Sequence, residues 1–208
     1  MKTFKSLIYT FSLFSIALLV YRLLKSDSIA YIFLIWNLFL AFIPWWLSSF
    51  IVKQKNIGYK YIPVLVIWLL FLPNAPYILT DLFHLRAREP FPLWYDLVLL
   101  LSFALCGMML FFKSLKDMFE LFQKNIKPFY VTLITPFVFW LISFGLYLGR
   151  YMRFNSWDII HPFHLLKSSF TVLFQKDAMA FTCVFSVFMW FMYMILVQFN
   201  KHEKIVPD

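Results

Sequence analysis

Six stretches of this chain run for sixteen residues or more without a charged side chain. They are Ser6–Tyr21, Ser28–Val52, Tyr61–Thr80, Leu97–Phe112, Pro128–Gly149 and Ala178–Asn200. A helix that crosses a bilayer needs about 20 mostly apolar residues, and each run reaches that length with a few flanking residues. Lipid offers the backbone no hydrogen bonds, so only helices and closed barrels can cross it. The alternation of a transmembrane barrel is absent from these runs. The expected fold is therefore all-α: a polytopic membrane helix bundle with spans near 6–22, 28–52, 61–80, 93–112, 128–149 and 178–200. A single integral membrane domain over 1–208 is expected, since no segment is polar enough to stand as a soluble domain.

Composition narrows the function classes. Hydrophobic residues make up 62% of the chain and charged residues 14%, against about 25% charged in soluble domains. The formal charge is +9, yet the lysines and arginines sit in short loops rather than in one patch. Loop cations of this kind orient membrane proteins and meet anionic headgroups. The expected partners are membrane lipids and no nucleic acid. Cys106 and Cys183 both fall in apolar runs and read as buried thiols, not as a disulfide framework. With only four glycines there is no phosphate-cradling loop, and no cofactor is expected. Lys2 and Lys5 precede the first apolar run, but Arg22, Lys25 and Asp27 separate it from the small residues Ser28-Ile29-Ala30. A retained anchor helix fits better than a cleaved leader.

Loop charges set the expected orientation. With the N-terminus inside, 11 lysines fall on the cytoplasmic side and 8 lysines and arginines on the other. Half of the second set are arginines embedded in polar motifs, so both termini are expected to be cytoplasmic. Two loops read as short amphipathic surface helices. Residues 113–125 align Leu115, Met118, Phe119 and Phe122, and residues 162–175 align Phe163, Leu166, Phe170, Leu173 and Phe174 behind Pro162.

Polar clusters close two odd-numbered runs, and two odd crossings end on the same face. The first is Leu72-Pro73-Asn74-Ala75-Pro76-Tyr77-Ile78-Leu79-Thr80-Asp81-Leu82-Phe83-His84-Leu85. Pro73 and Pro76 each remove a backbone donor and clash with the preceding turn, so the third helix breaks there, with Asn74 placed to satisfy a freed carbonyl. Such a break can shape a binding cavity or be a kink with its own cap. Asp81 and His84 share a face at i, i+3, which suits a proton relay, an acid–base pair or half of a metal site. Equally, Asp81 can be a helix cap. The second cluster runs from Tyr147 to Asp158 and holds Arg150, Arg153, Asn155 and Asp158. Guanidinium forks fit carboxylates and phosphates. Arg150 or Arg153 is therefore expected to pair with Asp81, Asp96 or Asp158, either to lock helices together or to hold an anionic headgroup. Asp96 opens the fourth run on the same face. His161 and His164 are weak metal candidates, because Pro162 between them favours a turn and H-P-F-H is not the zinc-binding H-E-x-x-H. Gly145 and Gly149 form a G-x-x-x-G packing face. Asn37, about halfway along the second run, reads as a hydrogen-bonded core residue.

Trp36-Asn37-Leu38-Phe39-Leu40-Ala41, Leu72-Pro73-Asn74-Ala75-Pro76-Tyr77 with Thr80-Asp81-Leu82 and His84-Leu85, Trp94-Tyr95-Asp96, Leu148-Gly149-Arg150 and Arg153-Phe154-Asn155-Ser156-Trp157-Asp158 resemble the bacterial membrane family called domain of unknown function 1361. The resemblance covers roughly Ile29 to Trp190. It implies a bacterial cytoplasmic membrane protein, and it implies no reaction. Three functions then compete. One is an outward-facing site that binds or moves an anionic amphiphile, a lipid or a lipid-linked precursor, with Asn74, Asp81, His84, Asp96, Arg150, Arg153, Asn155 and Asp158 as its residues. Another is a membrane-embedded lipid hydrolase or transferase with His84 and Asp81 as the catalytic pair. The third is a non-catalytic scaffold or accessory subunit.

Overall fold

The computed structural model describes residues 2–26, 28–54, 59–125, 127–154 and 169–202. Its elements are α1 (Lys2–Lys25), α2 (Phe33–Ile51), α3 (Ile62–Phe71), α4 (Asn74–Tyr77), a 3₁₀ segment Ile78–His84, α5 (Leu93–Asn125), α6 (Pro128–Tyr151) and α7 (Lys176–His202). Among the described residues there is no strand, only an isolated bridge between Arg88 and Phe91. Six helical stretches among the described residues are long and apolar enough to cross a membrane: Thr3–Lys25, Phe33–Ile51, Tyr59–His84, Leu93–Lys124, Phe129–Tyr151 and Lys176–Val197. The chain is thus all-α and polytopic, as the charge-free runs require.

Several helices outrun their charge-free cores. Arg and Lys are good helix formers, so a charge ends the apolar run without ending the helix. One correction follows. Residues 113–125 do not form a separate surface helix; they continue α5, which is 33 residues long. No proline or glycine interrupts the chain at Phe112-Lys113, and the pairs Lys113–Asp117 and Lys116–Glu120 brace the extension at i, i+4. Its apolar face is the expected one, with Leu115, Met118 and Phe119 buried. The other expected surface helix lies mostly outside the described residues.

The chain divides into two compact units, Met1–Leu121 and Phe122–Asp208. In the first, the third crossing breaks where the prolines demand. α3 stops at Phe71, and Asn74 Nδ2 donates to the Phe71 carbonyl at 3.0 Å, replacing a donor lost at the break. A single α turn follows, then seven residues of 3₁₀ helix, longer than such runs usually are. α5 presses against this break through Gly107. A Cβ there would run into the Ala75 carbonyl oxygen and lie 3.2 Å from Ile78 Cδ1. Lower down, Trp68 Nε1 donates to Ser114 Oγ at 2.8 Å, and Ser114 Oγ donates to the Pro44 carbonyl at 2.9 Å. That buried chain ties α3, α5 and α2 together. Between α1 and α5, Cys106 lies buried with Ser12 Oγ at 3.8 Å and Ser15 Oγ at 3.7 Å from its sulfur. Cys183, expected to be buried, is exposed on α7. An apolar run facing lipid exposes its small residues as readily as it buries them.

In the second unit α6 and α7 pack along their lengths. Phe139 meets Tyr193 at 5.6 Å between ring centroids, and Tyr147 meets Phe181 at 5.6 Å. Val172 and Ala178 complete the buried cluster around Tyr147.

Candidate functional site

In the first unit one face gathers the end of α1, the start of α2, the end of the 3₁₀ segment and the start of α5. Asp96 lies in the first turn of α5 and Arg22 in the last turn of α1. Each charge complements its own helix dipole. Arg22 Nε donates to Asp96 Oδ1 at 2.6 Å and its NH2 group to Oδ2 at 3.0 Å, and both side chains are fully buried. This is a two-pronged guanidinium–carboxylate fork, the strongest form of such a pair. The cation of Asp96 is therefore Arg22, a residue that the motif reading passed over.

Aromatic rings enclose the fork. The Arg22 guanidinium carbon stands 4.9 Å from the centre of the Tyr31 ring and 5.6 Å from that of Phe91. Arg88 is also 4.9 Å from the Tyr31 ring centre, so two guanidiniums share one phenol. Tyr31 itself is 1% exposed and holds a left-handed backbone, φ 70°. For a residue with a Cβ that conformation costs roughly 1–2 kcal/mol. Its surroundings keep it there, including the hydrogen bond from Tyr31 Oη to the His84 carbonyl at 3.2 Å. Burial pushes the Tyr31 phenol up from its ordinary value, with Asp96 adding to the rise while Arg88 and Arg22 oppose it. Tyr31 is thus a neutral donor at physiological pH. Nearby, Tyr95 Oη donates to the Leu18 carbonyl at 2.8 Å, and Phe91 and Tyr95 meet at 4.6 Å.

The Tyr31–His84 hydrogen bond leads to the second half of this face. In the 3₁₀ segment residues i and i+3 eclipse, which places Asp81 and His84 on one side. Asp81 is 1% exposed, and Asn37 Nδ2 donates to its Oδ2 at 2.7 Å. The His84 ring meets Phe33 at 5.3 Å. Asn37 is thus a hydrogen-bonding residue, but it is not halfway down. α2 starts at Phe33, so Asn37 lies about one turn inside it, at the level of the motif. Thr80 Oγ1 donates to the Tyr77 carbonyl at 2.7 Å. Asp81 is accordingly a buried acceptor for another helix, and no side-chain cap is made at the start of the 3₁₀ segment.

Arg150 and Arg153 belong to the second unit. Arg150 is half-buried in the last turn of α6. Arg153 is exposed and left-handed, φ 58°, and the chain reverses through it so that Phe154 N–H returns to the Leu148 carbonyl at 3.2 Å. Left-handed residues commonly end helices in this way. Asn155, Asp158, His161 and His164 lie outside the described residues. Among the described residues no three His, Cys, Asp or Glu side chains come together.

The structure therefore brings Asp81 and His84 onto the face that holds Asp96, and adds Asn37, Arg22, Tyr31 and Arg88. A family model described as "Protein of unknown function (DUF1361)" matches residues 36–193. The chain belongs to this family. The DUF1361 match takes in Asn37, Asn74, Asp81, His84, Asp96, Arg150 and Arg153, and it starts after Arg22 and Tyr31. Neither the curated proteins nor the solved structures gave a match. The residues missed at the outset lie before the family's motifs or, like Arg88, between them. The available signal for Arg22 was its placement: the one arginine closing the first apolar run stands level with the acid that opens the fourth.

Proposed function

We propose that this multi-pass protein binds the anionic headgroup of a membrane amphiphile, a lipid or a lipid-linked precursor, at the face where α1 ends and α5 begins. The observation that carries this reading is the Arg22 NH1 nitrogen. It is buried and has no hydrogen-bond partner, although the same guanidinium holds Asp96 with its other two nitrogens. An unsatisfied buried donor costs about 1–3 kcal/mol, more when charged. Arg88 stands over the same Tyr31 ring and forms no salt bridge among the described residues. Two guanidiniums with one carboxylate leave a local excess of positive charge in an aromatic-walled setting. A phosphate or carboxylate oxygen would satisfy the remaining donor and balance the second cation. Asp96 then fixes Arg22 in place, and Arg88 and the free NH1 edge recognise the ligand. We further place this face outside a bacterial cytoplasmic membrane, in keeping with the loop lysines.

A second reading, a lipid hydrolase or transferase, draws on the 3₁₀ geometry that eclipses Asp81 and His84. One experiment weighs both. Native mass spectrometry of the purified protein with phosphatidylglycerol, against phosphatidylcholine, counts the lipids retained. Arg88→Gln is expected to melt near wild type and to retain one phosphatidylglycerol fewer. Unchanged retention would remove the binding reading. Full retention by His84→Ala, with failure to complement the deletion-strain phenotype that wild type complements, would favour the acid–base pair instead.

A further inference from the structure

The opposite face of the first unit holds a cavity of about 190 Å³. That is more than ten times the roughly 10–15 Å³ that one water needs. Lysines from three helical regions meet at it: Lys5 near the start of α1, Lys53 just beyond α2, and Lys113 on α5. Asp117 is the carboxylate in its lining and is paired with Lys113, so two formal positive charges remain. Trp45 forms a wall, 2% exposed, with Lys5 Nζ 5.9 Å from its ring centre, and Ser49 adds a hydroxyl. Depth identifies the setting. Lys113 stands twenty residues beyond Leu93, about 30 Å along the helix, which matches the hydrocarbon thickness. The cavity therefore opens at headgroup level, on the side of the membrane away from the Arg22–Asp96 fork.

We propose that this cavity is a second lipid site, which seats the phosphate of an anionic phospholipid at the interface where α1 begins. Lysines are compact, mobile point charges suited to a phosphodiester. The indole wall suits the boundary between headgroup and chain. Nothing in the assignment depends on the reading of the opposite face.

The test uses the full chain in neutral detergent, with phosphatidylglycerol as probe and phosphatidylcholine and inorganic phosphate as comparisons. Each lysine lost is expected to weaken phosphatidylglycerol binding about fivefold, from the affinity of a polybasic contact. Lys53→Gln changes an exposed side chain and so tests the site without risk to the fold. The pair Lys5→Gln with Lys53→Gln should weaken binding more than twentyfold at this site, while Lys60→Gln leaves it unchanged. Equal binding by Lys53→Gln and Lys60→Gln would overturn the proposal. So would displacement of the lipid by equimolar inorganic phosphate, which would mark a site for the free ion.

Discussion

Among the described residues Arg22 and Asp96 make the most demanding pair, because both side chains are fully buried. Removing one partner strands the other, and a stranded buried charge typically costs about 3–5 kcal/mol. Asp96→Ala is expected to lower the detergent melting temperature sharply, whereas Arg22→Met combined with Asp96→Leu should recover much of the loss. Equal melting of Asp96→Ala and wild type would show that the fork does not hold α1 to α5. Tyr31 gives a pH signature. Its folded pKa is raised, so its contribution is full below the ordinary tyrosine value near 10 and falls as pH rises through the folded value. Tyr31→Phe should lose the hydrogen bond to the His84 carbonyl, about 0.5–1.5 kcal/mol, and flatten the alkaline decline in stability expected as pH rises above the ordinary tyrosine value near 10. An equally steep decline in the variant would assign it to other groups. Asp81, His84 and Asp96 were legible in the sequence because charges are rare there. Arg22 was not, because the apolar run ends at Tyr21 while the helix goes on to Lys25. Tyr31 carries no polar signal at all; only its left-handed backbone and its two guanidiniums distinguish it.

At the scale of elements, the break in the third crossing was legible from Pro73 and Pro76, whose missing donors leave little choice. That the chain would continue as 3₁₀ helix was not, since 3₁₀ and α turns share residue preferences and packing decides between them. Gly107 is part of that decision. In an exposed helix Gly→Ala gains roughly 1 kcal/mol, but here the new methyl meets the Ala75 carbonyl, a backbone atom that cannot rotate away. Gly107→Ala is therefore expected to destabilise, by about 1–3 kcal/mol as an overpacked site does, and thermal melting in detergent would read the sign directly. A rise in melting temperature would mean that α5 and the broken helix can separate freely. The extension of α5 past Phe112 carries the complementary lesson. Charge marks where a span leaves the lipid, and the i, i+4 pairs beyond it show that the helix has no reason to stop.

For the molecule as a whole, the contacts of the first unit already establish its parity. The Arg22–Asp96 fork and the Tyr31–His84 hydrogen bond put the end of α1, the start of α2, the end of the third crossing and the start of α5 on one face. Lys5, Lys53 and Lys113 mark the other. Only the absolute direction is left to the loop lysines and arginines, whose bias of 11 against 8 is small. In a background with Cys106→Ser and Cys183→Ser, Glu89→Cys should react with a membrane-impermeant maleimide in intact cells, and Lys60→Cys only after permeabilisation. Lys176→Cys should follow Glu89→Cys, because two crossings, α5 and α6, separate them along the chain. Labelling of Lys60→Cys alone in intact cells would invert the protein. The Arg22 site would then face the leaflet assigned above to the lysine cavity, and each proposed headgroup would have to come from the opposite side of the membrane.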